Sequence, residues 1–200
     1  MNPALQQLQQ QLVQCRRCPN MAGPPVHGEA VDSAVMLIGQ APGNKEIELH
    51  KPFAWTAGKT LFRWFHSIGL DETEFRRKVY MSAVCRCFPG KKPRGGDRLP
   101  DATEIANCAR WLEAELDLLR PALVIPVGKL AIGRFLTFRT LKEVIGTVHT
   151  VVRNGHSMDL IPLPHPSGAS TWHVTEPGKT LLHEALEQVA SHPAFTGLLR

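Results

Sequence analysis

No apolar run in this sequence approaches the roughly 20 residues that a membrane-spanning helix needs. Met1 to Gln14 is Gln-rich and lacks the basic segment and apolar core of a secretory leader. These two absences lead us to expect a cytoplasmic protein in a reducing compartment, with no membrane contact. Internal repeats, low-complexity tracts and any sign of a second domain are missing as well. The 200 residues are therefore read as one domain, 1–200, with one sizeable core. A large excess of charge of one sign is also lacking: 23 Lys and Arg face 18 Asp and Glu, a net +5. That balance tolerates a polyanion such as DNA without demanding one.

What is present is an odd number of cysteines, five, gathered in two places. Cys15 and Cys18 form a C-x-x-C pair, and Cys85, Cys87 and Cys108 lie together much later. An odd count in a reducing compartment argues against a disulfide framework, and the clustering favours metal binding over unrelated core and surface thiols.

Asn2 and Pro3 suit the cap and first position of a helix carrying Leu5, Leu8 and Leu12, which runs into the C-x-x-C turn. Continuous apolar runs predict strands at 34–38, 79–84 and 122–127. Asn154-Gly155 marks a hairpin between strands at 147–152 and 159–163. Helices are predicted over 56–68, after the capping pair Asp101 and Glu104, from Gly128 through Phe135, and over about 176–190. The Gly- and Pro-rich stretch 88–100, with Lys91, Lys92, Arg94 and Arg98, reads as a surface loop. Strands alternating with helices define an α/β fold with a mostly parallel sheet, whose ligands bind beyond the carboxyl ends of the strands.

Three motifs fall at such ends. Gly39-Gln40-Ala41-Pro42-Gly43 closes the first strand, Lys51-Pro52-Phe53 follows it, and His165-Pro166-Ser167-Gly168 follows the last strand. Taken in this order and spacing with the cysteines, they resemble the uracil-DNA glycosylase superfamily, from Cys15 to about Ser170. The resemblance is greatest to the family 4 branch of iron–sulfur enzymes. It implies a three-layer αβα sandwich around a four-stranded, mostly parallel sheet, and a monomer acting on DNA that holds a damaged or deaminated base. It also implies a 4Fe–4S cluster on Cys15, Cys18, Cys87 and Cys108, with Cys85 as the spare thiol. Four cysteines also suit a zinc site, and Cys108 alone suits a small core residue, so both readings stay open here.

The implied reaction is hydrolysis of an N-glycosidic bond after the base has been flipped from the stack. Negative charge develops on the departing base, so donors must face its oxygens. By resemblance, His165 supplies such a donor, Phe53 stacks on the flipped base, and Gly39, Gln40 and Ala41 line its edge. Two departures from the family pattern bear on chemistry. Gln40 stands where the family has Glu, which leaves Glu46 as the remaining carboxylate candidate although Asn44, Lys45 and Ile47 make this stretch less acidic than the pattern. Ala83 stands where the family has the Asn that reads the uracil edge. Ser167, Gly168 and Ser170 are expected along the DNA backbone, with Lys91, Lys92, Arg94 and Arg98 as further phosphate contacts. Trp172 suits either the gap left by the flipped base or ordinary packing. The leading expectation is a monofunctional glycosylase for uracil. The alternatives are a glycosylase for hypoxanthine or xanthine, a lesion-binding protein of the same fold without activity, and a zinc-stabilised domain unrelated to DNA.

Overall fold

A computed structural model describes residues 2–200. Its centre is a sheet of β1 (Val35–Gly39), β2 (Tyr80–Ala83), β3 (Leu123–Pro126), β4 (His149–Arg153) and β5 (His156–Leu160), in the order β2-β1-β3-β5-β4. The pairs β1–β2, β1–β3 and β3–β5 are parallel, and β4 lies antiparallel on β5. The sheet thus has five strands rather than the expected four. The fifth arises because Asn154 (φ 49°) and Gly155 (φ 71°) close a two-residue turn that folds β4 onto the edge. The turn also sets β5 to begin at His156, earlier than the apolar run 159–163 suggests.

Helices cover both faces, as expected for a three-layer αβα sandwich. They are α1 (Pro3–Val13), α2 (Asn44–Leu49), α3 (Thr56–His66), α4 (Glu72–Lys78), α5 (Ala102–Leu119), α6 (Lys129–Ile132), α7 (Gly178–Ser191) and α8 (Pro193–Thr196). The pleat of β1 divides the core. Val35 and Leu37 pack with Leu61 and Phe65 of α3, Phe75 of α4 and Leu182 and Leu186 of α7, while Met36 and Ile38 pack with Leu5 of α1 and Leu112 and Leu116 of α5. Fully burying such a side chain stabilises by about 1.5–3 kcal/mol, which is what commits strands with no polar face to the centre of a sheet.

Local signals fix the helix starts. Asn2 accepts hydrogen bonds from the Ala4 and Leu5 N–H groups with Pro3 at the first position, and Asp101 and Glu104 exchange the two bonds of a capping box at α5. The short helices α2, α4 and α8 have too few turns to show a periodic apolar stripe, and the sequence does not announce them.

Candidate functional site

Every motif singled out above sits at the carboxyl ends of the parallel strands. Gly39 ends β1 and pairs in register with Ala83, the last residue of β2. The peptide beyond is pinned to the chain leaving β2: Val84 N–H donates to Gly39 O (2.9 Å) and Cys85 N–H to Gln40 O (3.0 Å). The Phe53 ring lies directly on Gly39. A Cβ there would come within 2.8 Å of Phe53 Cζ, so only glycine admits the ring.

Phe53 is held in a left-handed backbone conformation (φ 52°), which costs a bulky residue energy and needs support. Arg76 on α4 provides it. Its guanidinium donates to Pro52 O (2.8 Å) and Phe53 O (3.0 Å), lies 4.5 Å from the Phe62 ring centroid, and pairs with Glu72. In sequence Arg76 is merely the first of three exposed-looking cations, Arg76-Arg77-Lys78. Only the packing of α4 distinguishes it from the other two.

His165 stands beyond the end of the neighbouring strand β3. Leu163 bridges to Val127 beyond β3, and the chain then delivers His165 onto Gly128 (φ 83°), where a Cβ would meet the imidazole Cδ2 at 3.0 Å. The Ser167 N–H donates to His165 Nδ1 (3.2 Å), and Ser167 Oγ lies 2.9 Å from the same nitrogen. Nδ1 is thus the acceptor, and in the neutral ring the proton resides on Nε2. Burial, with a smaller contribution from the charge of His173, holds the imidazole below its ordinary pKa and so favours that neutral form.

The residues of the Gly39–Gly43 turn divide in role. Gln40 is half-buried, and among the described residues none bonds its side-chain amide. Glu46 is not a solvated loop residue. It is 8% exposed on α2, and its carboxylate accepts the Gly43 N–H at 3.1 Å. Asp97 reaches the same turn from the basic loop: a Cβ on Gly43 would lie 3.3 Å from Asp97 Oδ2. Nothing in the sequence separates Asp97 from ordinary loop polarity. Its position depends on a turn in which Lys92 N–H donates to Gly96 O and Lys91 bridges Asp97.

Lys91, Lys92 and Arg94 are exposed on that loop. Arg98, grouped with them above, is not a free cation. It forms an ion pair with Glu104 and donates to Asn20 O at 3.3 Å, tying the loop to the start of α5. Ser167, Gly168 and Ser170 lie on a turn closed by Ser170 N–H to Ser167 O (2.9 Å), and the space beyond Gly168 is open. Trp172 is a packing residue: its ring lies on Gly178, where a Cβ would fall 2.7 Å from the indole, and it rests against the core beneath α7.

The cysteines meet behind this site. Ala22 and Phe88 exchange backbone hydrogen bonds (2.8 Å each) and Val26 N–H donates to Arg86 O (2.7 Å), which lays the loop after Cys18 along the chain that carries Cys87. Cys15, Cys18, Cys87 and Cys108 all line one cavity of about 510 Å³, together with Arg86 and Asn107. Cys85 does not line it. It is fully buried, and its neighbour Cys108 together with that burial pushes its thiol well above the ordinary range. Burial and the neighbouring sulfurs push Cys87 up to about 12. Among the described residues no three His, Cys, Asp or Glu side chains converge as ligands of a single metal ion.

A buried polar network joins this cavity to the strand ends. Glu115 on α5 accepts from Tyr80 Oη (2.7 Å), Ser82 Oγ (2.7 Å) and Arg86, whose Nε donates to Ala83 O at 2.9 Å. Burial alone would lower the Arg86 pKa, but Glu115 outweighs it and holds the guanidinium firmly charged.

An αβα sandwich that gathers an aromatic ring, an imidazole and glycine-lined backbone at the carboxyl ends of parallel strands defines an α/β protein with its candidate site at the position where such sheets bind ligands. The profile of the Uracil DNA glycosylase superfamily matches residues 25–190, and the chain belongs to that superfamily. It is similar to the Type-4 uracil-DNA glycosylase of Archaeoglobus fulgidus, with 30% identity over 82% of this chain and 82% of the relative. Similarity extends to the Type-4 uracil-DNA glycosylase of Sulfurisphaera tokodaii (25% identity, 83% of this chain, 76% of the relative). A Type-5 uracil-DNA glycosylase of Thermus thermophilus matches at 26% identity over 94% of this chain and 97% of its own.

Proposed function

We propose that this protein excises uracil from DNA by hydrolysing the N-glycosidic bond, as a monofunctional, monomeric glycosylase that leaves an abasic site. The observation that carries the reading is that Phe53 on Gly39 and His165 on Gly128 stand at the carboxyl ends of the neighbouring strands β1 and β3, with Ala83 on the other side of Gly39 at the end of β2. The flipped base stacks on Phe53. The Nε2–H of neutral His165 donates to the base oxygen that gains charge as the bond breaks, and backbone groups from Gly39 to Ala41 border the base edge. A neutral donor matters, because an imidazolium would bind the anionic product tightly and slow its release.

The side-chain amide of Gln40 is free to hold a water or a base edge but carries no charge. Carboxylate charge near the turn comes instead from Glu46 and Asp97, which flank Gly43. Ser167, Gly168 and Ser170 on one side and Lys91, Lys92 and Arg94 on the other take the phosphates of the strand. The test is a panel of duplexes, each with one deaminated base. Uracil release above all others supports the reading, and no release from any of them overturns it.

We further propose that Cys15, Cys18, Cys87 and Cys108 hold a 4Fe–4S cluster with a structural role in a reducing cytoplasm. The donor set supports this. All four thiols line a single cavity, and four cysteine thiolates are the donor set that an iron–sulfur cluster takes. A zinc ion, with Zn–S of about 2.3 Å, would draw its four sulfurs to within about 4 Å of each other. A 4Fe–4S cluster binds its four thiolates to separate irons and so takes cysteines spread around one cavity. When bound, the cluster supplies thiolate–iron cross-links and no step of the hydrolysis. Anaerobically purified protein is expected to be brown with about four irons per chain. Stoichiometric zinc without visible absorption would contradict the assignment.

A further inference from the structure

Trp55 is the most exposed aromatic feature beside the pocket, and nothing in the excision chemistry uses it. Its side chain is 48% exposed, whereas Trp111 is buried and Trp64 and Trp172 pack against the core. An indole left in water is unfavourable unless something covers it in the working state.

Its surroundings specify what that is. The Lys45 Nζ on α2, which also pairs with Glu48, lies 6.0 Å from the ring centroid and the Lys59 Nζ on α3 lies 5.8 Å from it, so two cations from two helices stand against one indole. Lys45 follows Gly43 by two residues, and Trp55 follows Phe53 by two, so the patch is continuous with both pocket motifs. The Phe53 backbone that leads to Trp55 is fixed by Arg76 and by Gly58, on whose Cα the Phe53 carbonyl rests. The indole is therefore mounted on a rigid segment.

An exposed indole accompanied by two mobile ammonium groups matches one chemistry, a stacked base whose phosphates draw the ammonium groups to them. We propose that Trp55, with Lys45 and Lys59, is a stacking platform for a nucleobase adjacent to the flipped nucleotide on the same strand. This rests on the DNA-glycosylase reading and extends it: the enzyme grips a neighbouring unpaired base as well as the target. Stacking of this kind is sequence-tolerant, so it adds affinity for locally opened or single-stranded DNA rather than a base preference.

The experiment uses single-stranded and duplex oligonucleotides with a tetrahydrofuran abasic analogue at the target position. The neighbouring bases are replaced one at a time by the same spacer, and Kd is read by fluorescence anisotropy. In wild-type protein, removal of one particular neighbouring base is expected to weaken binding by about 5- to 50-fold. Trp55→Ala should weaken binding to the intact oligonucleotide by a similar factor and become insensitive to that spacer, with Trp55→Phe in between. A Trp55→Ala variant that binds as wild type does, or that loses the same factor whichever base is missing, would overturn the platform. Uracil release is measured separately with the same proteins. Base-coupled binding without any release would leave the platform standing and remove the glycosylase reading. Release without base coupling would do the reverse.

Discussion

At the residue scale the account turns on His165. The imidazole is oriented twice, by Gly128 beneath it and by Ser167 at Nδ1, so Nε2 is left to donate. Replacing it with alanine removes a donor aimed at developing charge, and His165→Ala is expected to slow single-turnover excision by about 100-fold or more. DNA affinity should hold, because phosphate contacts dominate it. Binding loss without loss of chemistry would place the residue outside the reaction. The pH profile follows from burial. The folded protein binds a proton on His165 less readily than the unfolded chain does, so this group's contribution to stability is complete above 6.5 and declines below it. Excision should stay level as pH falls through 6.5 and drop only in more acid solution, where protonation of Nδ1 breaks the bond from the Ser167 N–H. An inflection at or above 6.5 that vanishes in His165→Ala would contradict a neutral donor. Ala83 marks the other residue-scale feature. It pairs with Gly39 yet offers no polar group to a base edge. Where a site cannot pair that edge, discrimination weakens. Ala83→Asn is therefore expected to narrow the range of bases released, as read on the same panel of duplexes.

At the element scale, what the sequence declared and what it hid have physical causes. The strands β1, β2 and β3 are short apolar runs buried on both faces, and burial of every residue leaves a signal that composition alone reveals. Helix α5 announces itself through Asp101 and Glu104, and the β4–β5 turn through Asn154-Gly155. The count of four strands comes from the family resemblance alone, whereas the hairpin signal at Asn154-Gly155 already places a strand at 147–152, which β4 occupies on the sheet edge. Helix α4 carries only a cap signal, Asp71 accepting the Glu74 N–H, and no periodic stripe in its seven residues, yet it brings Arg76 to the carbonyls of Pro52 and Phe53. The motif residues Gly39, Phe53 and His165 were legible because they lie in ordered short motifs. Arg76, Asp97 and Trp55 were not, because their roles depend on which elements meet. Arg76→Ala is expected to slow excision by about tenfold or more through a displaced Phe53. Arg77→Ala loses only an exposed, solvent-screened pair with Glu74 and should leave excision unchanged. Equal effects of the two substitutions would remove Arg76 from the positioning of the pocket.

At the scale of the whole molecule, the thiol cavity and the base pocket are two ends of one structure. Arg86 lines the cavity, is 1% exposed, and bonds both Glu115 on α5 and the carbonyl of Ala83 at the pocket. Removing one partner of a buried pair strands the other's charge, so Glu115→Ala is expected to cost about 3–5 kcal/mol and to lower the melting temperature markedly. A melting temperature within a degree or two of wild type would mean that water reaches Arg86. The proposed cluster would act through the same linkage: thiolate–iron bonds at Cys87 and Cys108 would tie the chain leaving β2 to α5, the two segments that carry Arg86 and Glu115. The most direct measurement of the central claim is single-turnover release of uracil from a duplex by wild-type protein, alongside His165→Ala and a triple Lys91, Lys92, Arg94→Ala variant. The account predicts rapid release by wild type, release slowed about 100-fold or more by His165→Ala at saturating protein, and release by the triple variant that recovers once salt is lowered. Absence of release by wild-type protein carrying its full complement of iron would contradict it.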